Sequence, residues 1–497
     1  MALLGLIVLW AGTMFFHLYR FTFSAIDSWA YFAPAVFAKG PGDLNMPLLG
    51  AFEGSHAWGL NWPGGLLIDS LFVPFLPKIP VLYTLLHIAE WFAVSCATAA
   101  WVRTRTPGTL PVIAAFFLAL FDRNLFDIAW FERHEFFCCL AVLGVVYGLW
   151  KSREGEKGKT PYALPVLGLS FFLLPLLQPT LLLAGGVLLF LLFVFHFWQD
   201  RKKLTLRSVP GVLWLSLISY VFGIGGFFLY YRPGSEVLAS LLDHLHSTPA
   251  NAHSDGRFFF GKTFLLRMLE PGFFSENLVF LGALAACAVA AGRAIRSRTF
   301  PKAWSPFSLT AVFFLALLAF AQSTQNAFYM VLATPFSIAL CCWGIMALEG
   351  KGRPMVLLVL FVVLGSLQTV YYIARTRSME RAGWPDFRRE AAALVDGLPE
   401  AHLILIPPAL WQEAISRPNQ FAMSTLPYHA SAAHCLRYEA EVRAHLLPGD
   451  LLLTDRLQEH PPYTEVDPAQ WEKIGESKCI YFTYKEKGFD ITVWRHR

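Results

Sequence analysis

Eleven stretches of mostly apolar residues, each about 15 to 23 long, divide this 497-residue chain, and they narrow its folds more than any other feature. They run near 3–23, 81–102, 107–121, 136–150, 162–177, 180–198, 209–231, 276–292, 305–321, 327–347 and 355–373. Hydrocarbon offers no partner to a bare backbone N–H or C=O, so a segment of about 17 to 25 such residues crosses a bilayer as a helix. The third and fourth, at about 15 residues, read as short spans. The chain is 56% hydrophobic and only 15% charged, where an average soluble protein is about 25% charged. The expected class is therefore a polytopic α-helical membrane protein of about 11 transmembrane helices. The first segment runs unbroken to Asp27 with no small-residue cleavage site, which reads as a retained helix and not a signal peptide.

Lys and Arg collect in alternate loops, at Arg103/Arg105, Lys151 to Lys159, Arg201 to Arg207, Arg293 to Lys302 and Lys351/Arg353. About 16 basic residues fall in roughly 45 positions there, against about eight in roughly 124 on the other side, which places the first set in the cytoplasm. The expected location is the plasma (inner) membrane, with the N-terminus cytoplasmic and Asp27 extracytoplasmic. The net charge of +5 follows from basic loops facing anionic lipid. No basic-aromatic patch points to nucleic acid.

With an odd number of spans the carboxyl end also lies outside. After about Arg375 charges become frequent and apolar runs shrink to strand length, as in Leu403 to Ile406 and Leu451 to Leu453. Trp384 to Leu398 has helical spacing, while Cys479 to Tyr484 followed by Asp490 to Trp494 predicts a terminal hairpin. Residues 1–375 are thus assigned to a transmembrane domain and 376–497 to an extracytoplasmic α/β domain.

The candidate chemistry lies in three outer loops. Ser24 to Pro80 carries Asp27, His56, Asn61 and Trp62 among aromatics. Asp122 to Glu135 packs Asp122, Arg123, Asp127, Glu132, Arg133, His134 and Glu135 into what reads as one short turn. Arg232 to Glu276 adds three histidines with Arg257 and Lys262, and Arg and Lys are suited to holding a phosphate. No Cys or His spacing matches a zinc site.

Ile26-Asp27-Ser28-Trp29-Ala30-Tyr31 at the end of the first span and Asn61-Trp62-Pro63-Gly64 before the second resemble the GT-C superfamily of glycosyltransferases that use polyprenyl-phosphate sugars. Protein O-mannosyltransferases and the lipid A aminoarabinose transferase belong to it. Glu132-Arg133-His134-Glu135 is similar to that family's Arg-x-acid element, and Phe328-Tyr329 to Pro335 to its late aromatic-Pro helix. Two departures stand out: Ser28 follows Asp27 where many members have Glu, and Trp62 precedes Pro63 where many have a basic residue.

The resemblance implies transfer of a sugar from a polyprenyl-phosphate donor to an extracytoplasmic acceptor, whether lipid, glycan or protein, with inversion at the anomeric carbon. Asp27 is the implied general base. The substrate- and phosphate-binding candidates are His56, Asn61, Trp62, Asp127, Arg133, Glu135, Arg257 and Lys262, and the phosphate ligand stays open among Arg133, Arg257 and Lys262. Arg133 and Glu135 are expected to face the cavity of Asp27. A divalent metal is implied in some branches and none in others, so no metal ligand is assigned. His87 and Glu90, spaced i, i+3 within the second span, support a rival reading as a transporter or lipid flippase, although no inverted repeat accompanies them. A polysaccharide polymerase or ligase is the enzymatic alternative.

Six cysteines lie in or beside spans, leaving Cys435 and Cys479 in the outer domain, where disulfides persist. A bridge between them would close a loop of about 44 residues and stabilise by roughly 2–4 kcal/mol. Non-reducing mass mapping of the intact protein is expected to recover their peptides joined. Two free thiols would exclude the bridge and weaken the outward placement of this domain.

Overall fold

The computed structural model describes residues 2–21, 81–106, 108–130, 135–154, 162–199, 210–231, 278–297, 305–323, 331–348, 352–381 and 387–407, together with 410, 413, 420–424, 440, 442–455, 466–477 and 491–497. In chain order the helices are α1 (Ala2–Phe21), α2 (Val81–Arg103), α3 (Thr109–Leu120), α4 (Arg123–Trp130), α5 (Glu135–Glu154), α6 (Ala163–Leu177), α7 (Pro179–Gln199), α8 (Gly211–Tyr231), α9 (Leu278–Ser297), α10 (Pro306–Ser323), α11 (Thr334–Met346), α12 (Arg353–Arg381) and α13 (Phe387–Asp396). Each apolar stretch of the sequence falls on a helix. Counted over the described residues, five of these, α2, α5, α8, α9 and α12, are long and apolar enough by themselves to cross a membrane. Proline sets several starts: Pro179, Pro306, Pro335 and Pro354 occupy the first or second position of α7, α10, α11 and α12, where a missing N–H costs nothing.

Small residues bring some helix axes close. On α5, a Cβ built at Gly148 would lie 2.7 Å from Leu167 Cβ, 3.0 Å from Leu167 Cα and 3.1 Å from the Ala163 carbonyl oxygen, and one at Gly144 would collide with Ser170. Gly144 and Gly148 thus form a small-xxx-small face that seats α6, the device by which helices associate where burial from water is not the driving force. Between α9 and α11, Gly344 faces Ala286 and Gly282 faces Cys341 in the same way.

Side-chain donors fasten two levels of the bundle. At one, the Trp91 indole donates to the Ala119 carbonyl (2.9 Å), the Trp10 indole to Leu120 (3.1 Å) and the Thr369 hydroxyl to Phe121 (2.6 Å). Three helices, α2, α1 and α12, thereby bond three successive carbonyls at the end of α3, where the helical ladder runs out and the Asp122 N–H reaches back to Ala119 at 3.3 Å. At the opposite end the Trp101 indole donates to Thr310 Oγ1 and the Trp343 indole to the Val102 carbonyl, each at 3.0 Å. Trp101 also packs edge-on against Trp150 at 5.7 Å, so α2, α5, α10 and α11 are clamped there.

Two features of this part differ from the sequence expectation. The segment from Asp122 to Glu135 is not a single turn, because Arg123–Trp130 forms the helix α4. Asp122 accepts the Leu125 N–H at 3.0 Å and caps it, and Leu125, Phe126, Ile128 and Ala129 are buried along it. The fourth apolar segment is also not short: α5 runs 20 residues to Glu154. Lys151 and Arg153 sit in its last turn, where positive charge suits the helix dipole.

After α12 and α13 comes a five-stranded sheet of β1 (Ile404–Ile406), β2 (Phe421–Met423), β3 (Leu451–Asp455), β4 (Trp471–Ser477) and β5 (Ile491–His496) in the order β2-β1-β3-β5-β4. β1 is parallel to β2 and β3, while β5 is antiparallel to β3 and β4. The carboxylate of Asp450 accepts the N–H groups of Leu403 and Leu447 at 2.8 and 2.7 Å, which locks the entry to β3 against the entry to β1. The expected terminal hairpin is corrected in one strand. β5 covers the predicted second strand, but its described antiparallel partner on the sheet edge is Trp471–Ser477, while Cys479 to Tyr484 lies outside the described residues, as do both Cys435 and Cys479.

Two substitutions test this packing. Thr369→Val keeps the shape of a fully buried side chain but removes the donor to Phe121, and should cost about 1–3 kcal/mol. Thermal unfolding in detergent should show a lower midpoint than for Ser366→Ala, whose hydroxyl bonds only its own helix at Val362. Gly148→Leu drives a side chain into the backbone of α6, which has no flexible end to yield, and is expected to cost at least ~1–3 kcal/mol, visible as loss of monodisperse protein in size-exclusion chromatography.

Candidate functional site

A 12-residue helix rises only about 18 Å, whereas the hydrocarbon core of a bilayer is about 30 Å thick. α3 is such a helix, and its end is bonded to Trp91, nearly half-way along α2. The connection from α3 to α4 is therefore recessed relative to the start of α2. α6 and α11 are short as well, at 15 and 13 residues. Where these helices end, buried polar side chains gather: Asp122, Arg123, Glu135, Gln178 and Thr334, each less than a tenth exposed.

Their positions follow from local structure. Asp122 is held by the cap of α4, and the Arg123 guanidinium lies 5.3 Å from the ring centre of Phe126, over its face. Glu135 opens α5, where the positive end of the helix dipole favours a carboxylate. It accepts a hydrogen bond from Gln178 Nε2 at 3.2 Å. Gln178 forms the corner between α6 and α7, its own carbonyl accepting the N–H groups of Leu181 and Leu182 at 3.0 Å. One turn along α5, Cys139 donates to the Val331 carbonyl at 3.4 Å, which ties α5 to the 3₁₀ turn Val331–Ala333 that leads into α11. Cys139 lies within electrostatic reach of both Glu135 and Asp122, so the two carboxyl groups share one region of the bundle. The layer thus offers acceptors and a guanidinium donor at one depth, an arrangement suited to orienting a polar group below the membrane surface.

His87 and Glu90 join this layer from α2. Nδ1 of His87 lies 3.1 Å from Oε2 of Glu90, both are buried, and the imidazole is 6.5 Å from the Phe136 ring beside Glu135. The pair is internal to one helix and is packed against α5.

Of the site residues named from the sequence, Glu135 is placed in this layer. Asp127 lies on α4, with its side chain outside the described residues. Asp27, His56, Asn61, Trp62, Arg133, Arg257 and Lys262 also lie outside the described residues, so the shared cavity expected for Asp27, Arg133 and Glu135 does as well. Gln178 and Thr334 were not among the candidates. A glutamine in a two-residue connection and a threonine before Pro335 carry little signal until the fold brings them beside Glu135 and the α11 turn. Among the described residues no three or more His, Cys, Asp or Glu side chains converge as metal ligands.

No family model matches the chain. No curated protein matches it either. Its fold is similar to the crystal structure of ArnT from Cupriavidus metallidurans bound to undecaprenyl phosphate, with a TM-score of 0.57 at 12% sequence identity, covering 99% of this chain and 98% of that one. The chain therefore has the fold of ArnT along essentially its whole length, and this is the architecture that the sequence resemblance to the GT-C glycosyltransferases implied.

Proposed function

We propose that this chain is an integral membrane glycosyltransferase that takes a sugar from a polyprenyl-phosphate donor and delivers it to a lipid, glycan or protein on the extracytoplasmic side. The observation that carries the reading is the whole-length fold likeness to ArnT, a protein solved with undecaprenyl phosphate bound. The recessed polar layer supports it, since a lipid-borne phosphate and a water-borne acceptor meet most readily where polar groups reach below the surface of the bilayer.

In this reading the basic loops and the N-terminus are cytoplasmic, and the sheet of 376–497 lies outside with the loop that bears Asp27. The acceptor O–H or N–H gives its proton to the Asp27 carboxylate as its lone pair attacks the anomeric carbon. The bond from that carbon to the phosphate oxygen breaks on the opposite face, giving inversion, and the electron pair leaves with the phosphate. Arg133, Arg257 or Lys262 neutralises the charge gathering there. Asp122, Arg123 and Glu135 supply the buried polar layer, with Gln178 fixing Glu135 in orientation.

The test is transfer in membranes supplied with labelled polyprenyl-phosphate sugars. Asp27→Asn keeps the size of the side chain and removes its basicity, so turnover should fall about 100-fold or more while folded yield stays level. Near-normal turnover would remove Asp27 from the chemistry. Movement of the labelled lipid across the membrane without sugar transfer would favour the flippase reading, and growth of a long glycan would favour a polymerase.

A further inference from the structure

At the end of the bundle that carries the basic loops, opposite the recessed polar layer, lies a cavity of about 880 Å³ between the ends of α2, α5, α9 and α11 and the starts of α10 and α12. Its volume falls in the range of about 300–1,000 Å³ typical of small-molecule sites. The wall is apolar, with Ala286 and Val289 of α9 facing Leu357 and Phe361 of α12. Two arginines, Arg105 and Arg293, stand in its lining, and none of the described lining residues is acidic.

Arg105 is already held in place. Its guanidinium lies 4.8 Å from the ring centre of Phe307 and 5.8 Å from that of Trp343, over both faces. Partial burial lowers its pKa from the ordinary value, a cost to the charged form that a bound anion would offset. The flanks are bare hydrocarbon: Val289 on α9 and Val359, Leu360 and Val363 on α12 are 53, 52, 46 and 52% exposed. Such faces contact lipid tails in a membrane, so the cavity opens toward the bilayer while its cations lie at the level of headgroups.

From this geometry we infer that the cavity is a binding site for an anionic phospholipid, its headgroup phosphate between Arg105 and Arg293 and its upper acyl chains against α9 and α12. Charge complementarity selects the occupant, since basic pockets between membrane helices on the side of the basic loops take acidic headgroups. A zwitterionic lipid would fill the apolar wall equally well and lose the net attraction to the arginines. The site lies at the far end of the bundle from the proposed sugar transfer, and its occupancy is measured without any transfer assay.

The experiment is native mass spectrometry of the purified full-length protein in detergent, titrated with phosphatidylglycerol, with phosphatidylcholine of the same chains, and with undecaprenyl phosphate. Wild-type protein should retain phosphatidylglycerol preferentially. The double variant Arg105→Gln/Arg293→Gln should bind it roughly 30-fold more weakly, about fivefold per arginine, with phosphatidylcholine unchanged. Ala290→Trp drives an indole into the cavity from α9 and keeps both charges, so it should weaken binding of the lipid too; it decides the matter where the double variant fails to fold. Equal affinity of wild type for the two phospholipids, or unchanged phosphatidylglycerol binding in a folded variant, overturns the inference. Displacement of phosphatidylglycerol by undecaprenyl phosphate at the same two arginines also overturns it, by assigning the cavity to a polyprenyl lipid.

Discussion

The carbonyls of Ala119, Leu120 and Phe121 project from the end of a helix that stops part-way through the bundle, where lipid can bond none of them and the turn reaches back to Ala119 from the Asp122 N–H at 3.3 Å. Trp91, Trp10 and Thr369 bond them from three other helices. With those bonds made, the chain can turn at Asp122, cap α4 and return to start α5 at Glu135 without leaving its backbone bare. The depth of the whole polar layer follows from this arrangement: Glu135, Gln178 and Thr334 are buried because the elements that carry them are packed around a helix that ends early.

The helices were legible because hydropathy is the strongest signal a sequence offers: an apolar run of spanning length has few other fates. What escaped was set by contacts. α4 opens with Asp122-Arg123-Asn124, which reads as a polar connection, and it becomes a helix because Asp122 caps it while Leu125 and Phe126 find a core. β4 carries Glu472, Lys473 and Glu476, a composition fitted to the exposed edge of a sheet and easily taken for a loop. Its register with β5 also shifts between Lys473 and Gly475, which blurs the alternation that marks a strand.

The site was legible residue by residue more than as a constellation. Glu135 stood out as a carboxylate opening a span, and it is buried at the head of α5. Its partner Gln178 is 43 positions away in sequence, and nothing local connects the two. His87 and Glu90 were visible as intramembrane ionisable groups and supported a rival transporter or flippase reading. In the fold they neighbour Phe136 and belong to the same polar layer. Spacing along one helix cannot distinguish those roles, because the difference lies in what the other helices bring near.

The tryptophan clamp limits how far the helices of the bundle can shear. Trp101 and Trp343 bond across α2, α10 and α11 beside the basic loops, and Trp150 packs into them from α5. Helices tied through one cluster of indoles cannot slide past one another there without breaking a hydrogen bond, each worth about 0.5–1.5 kcal/mol net. Together with the bond from Trp91 to the Ala119 carbonyl, the clamp pins α2 at two levels along its length.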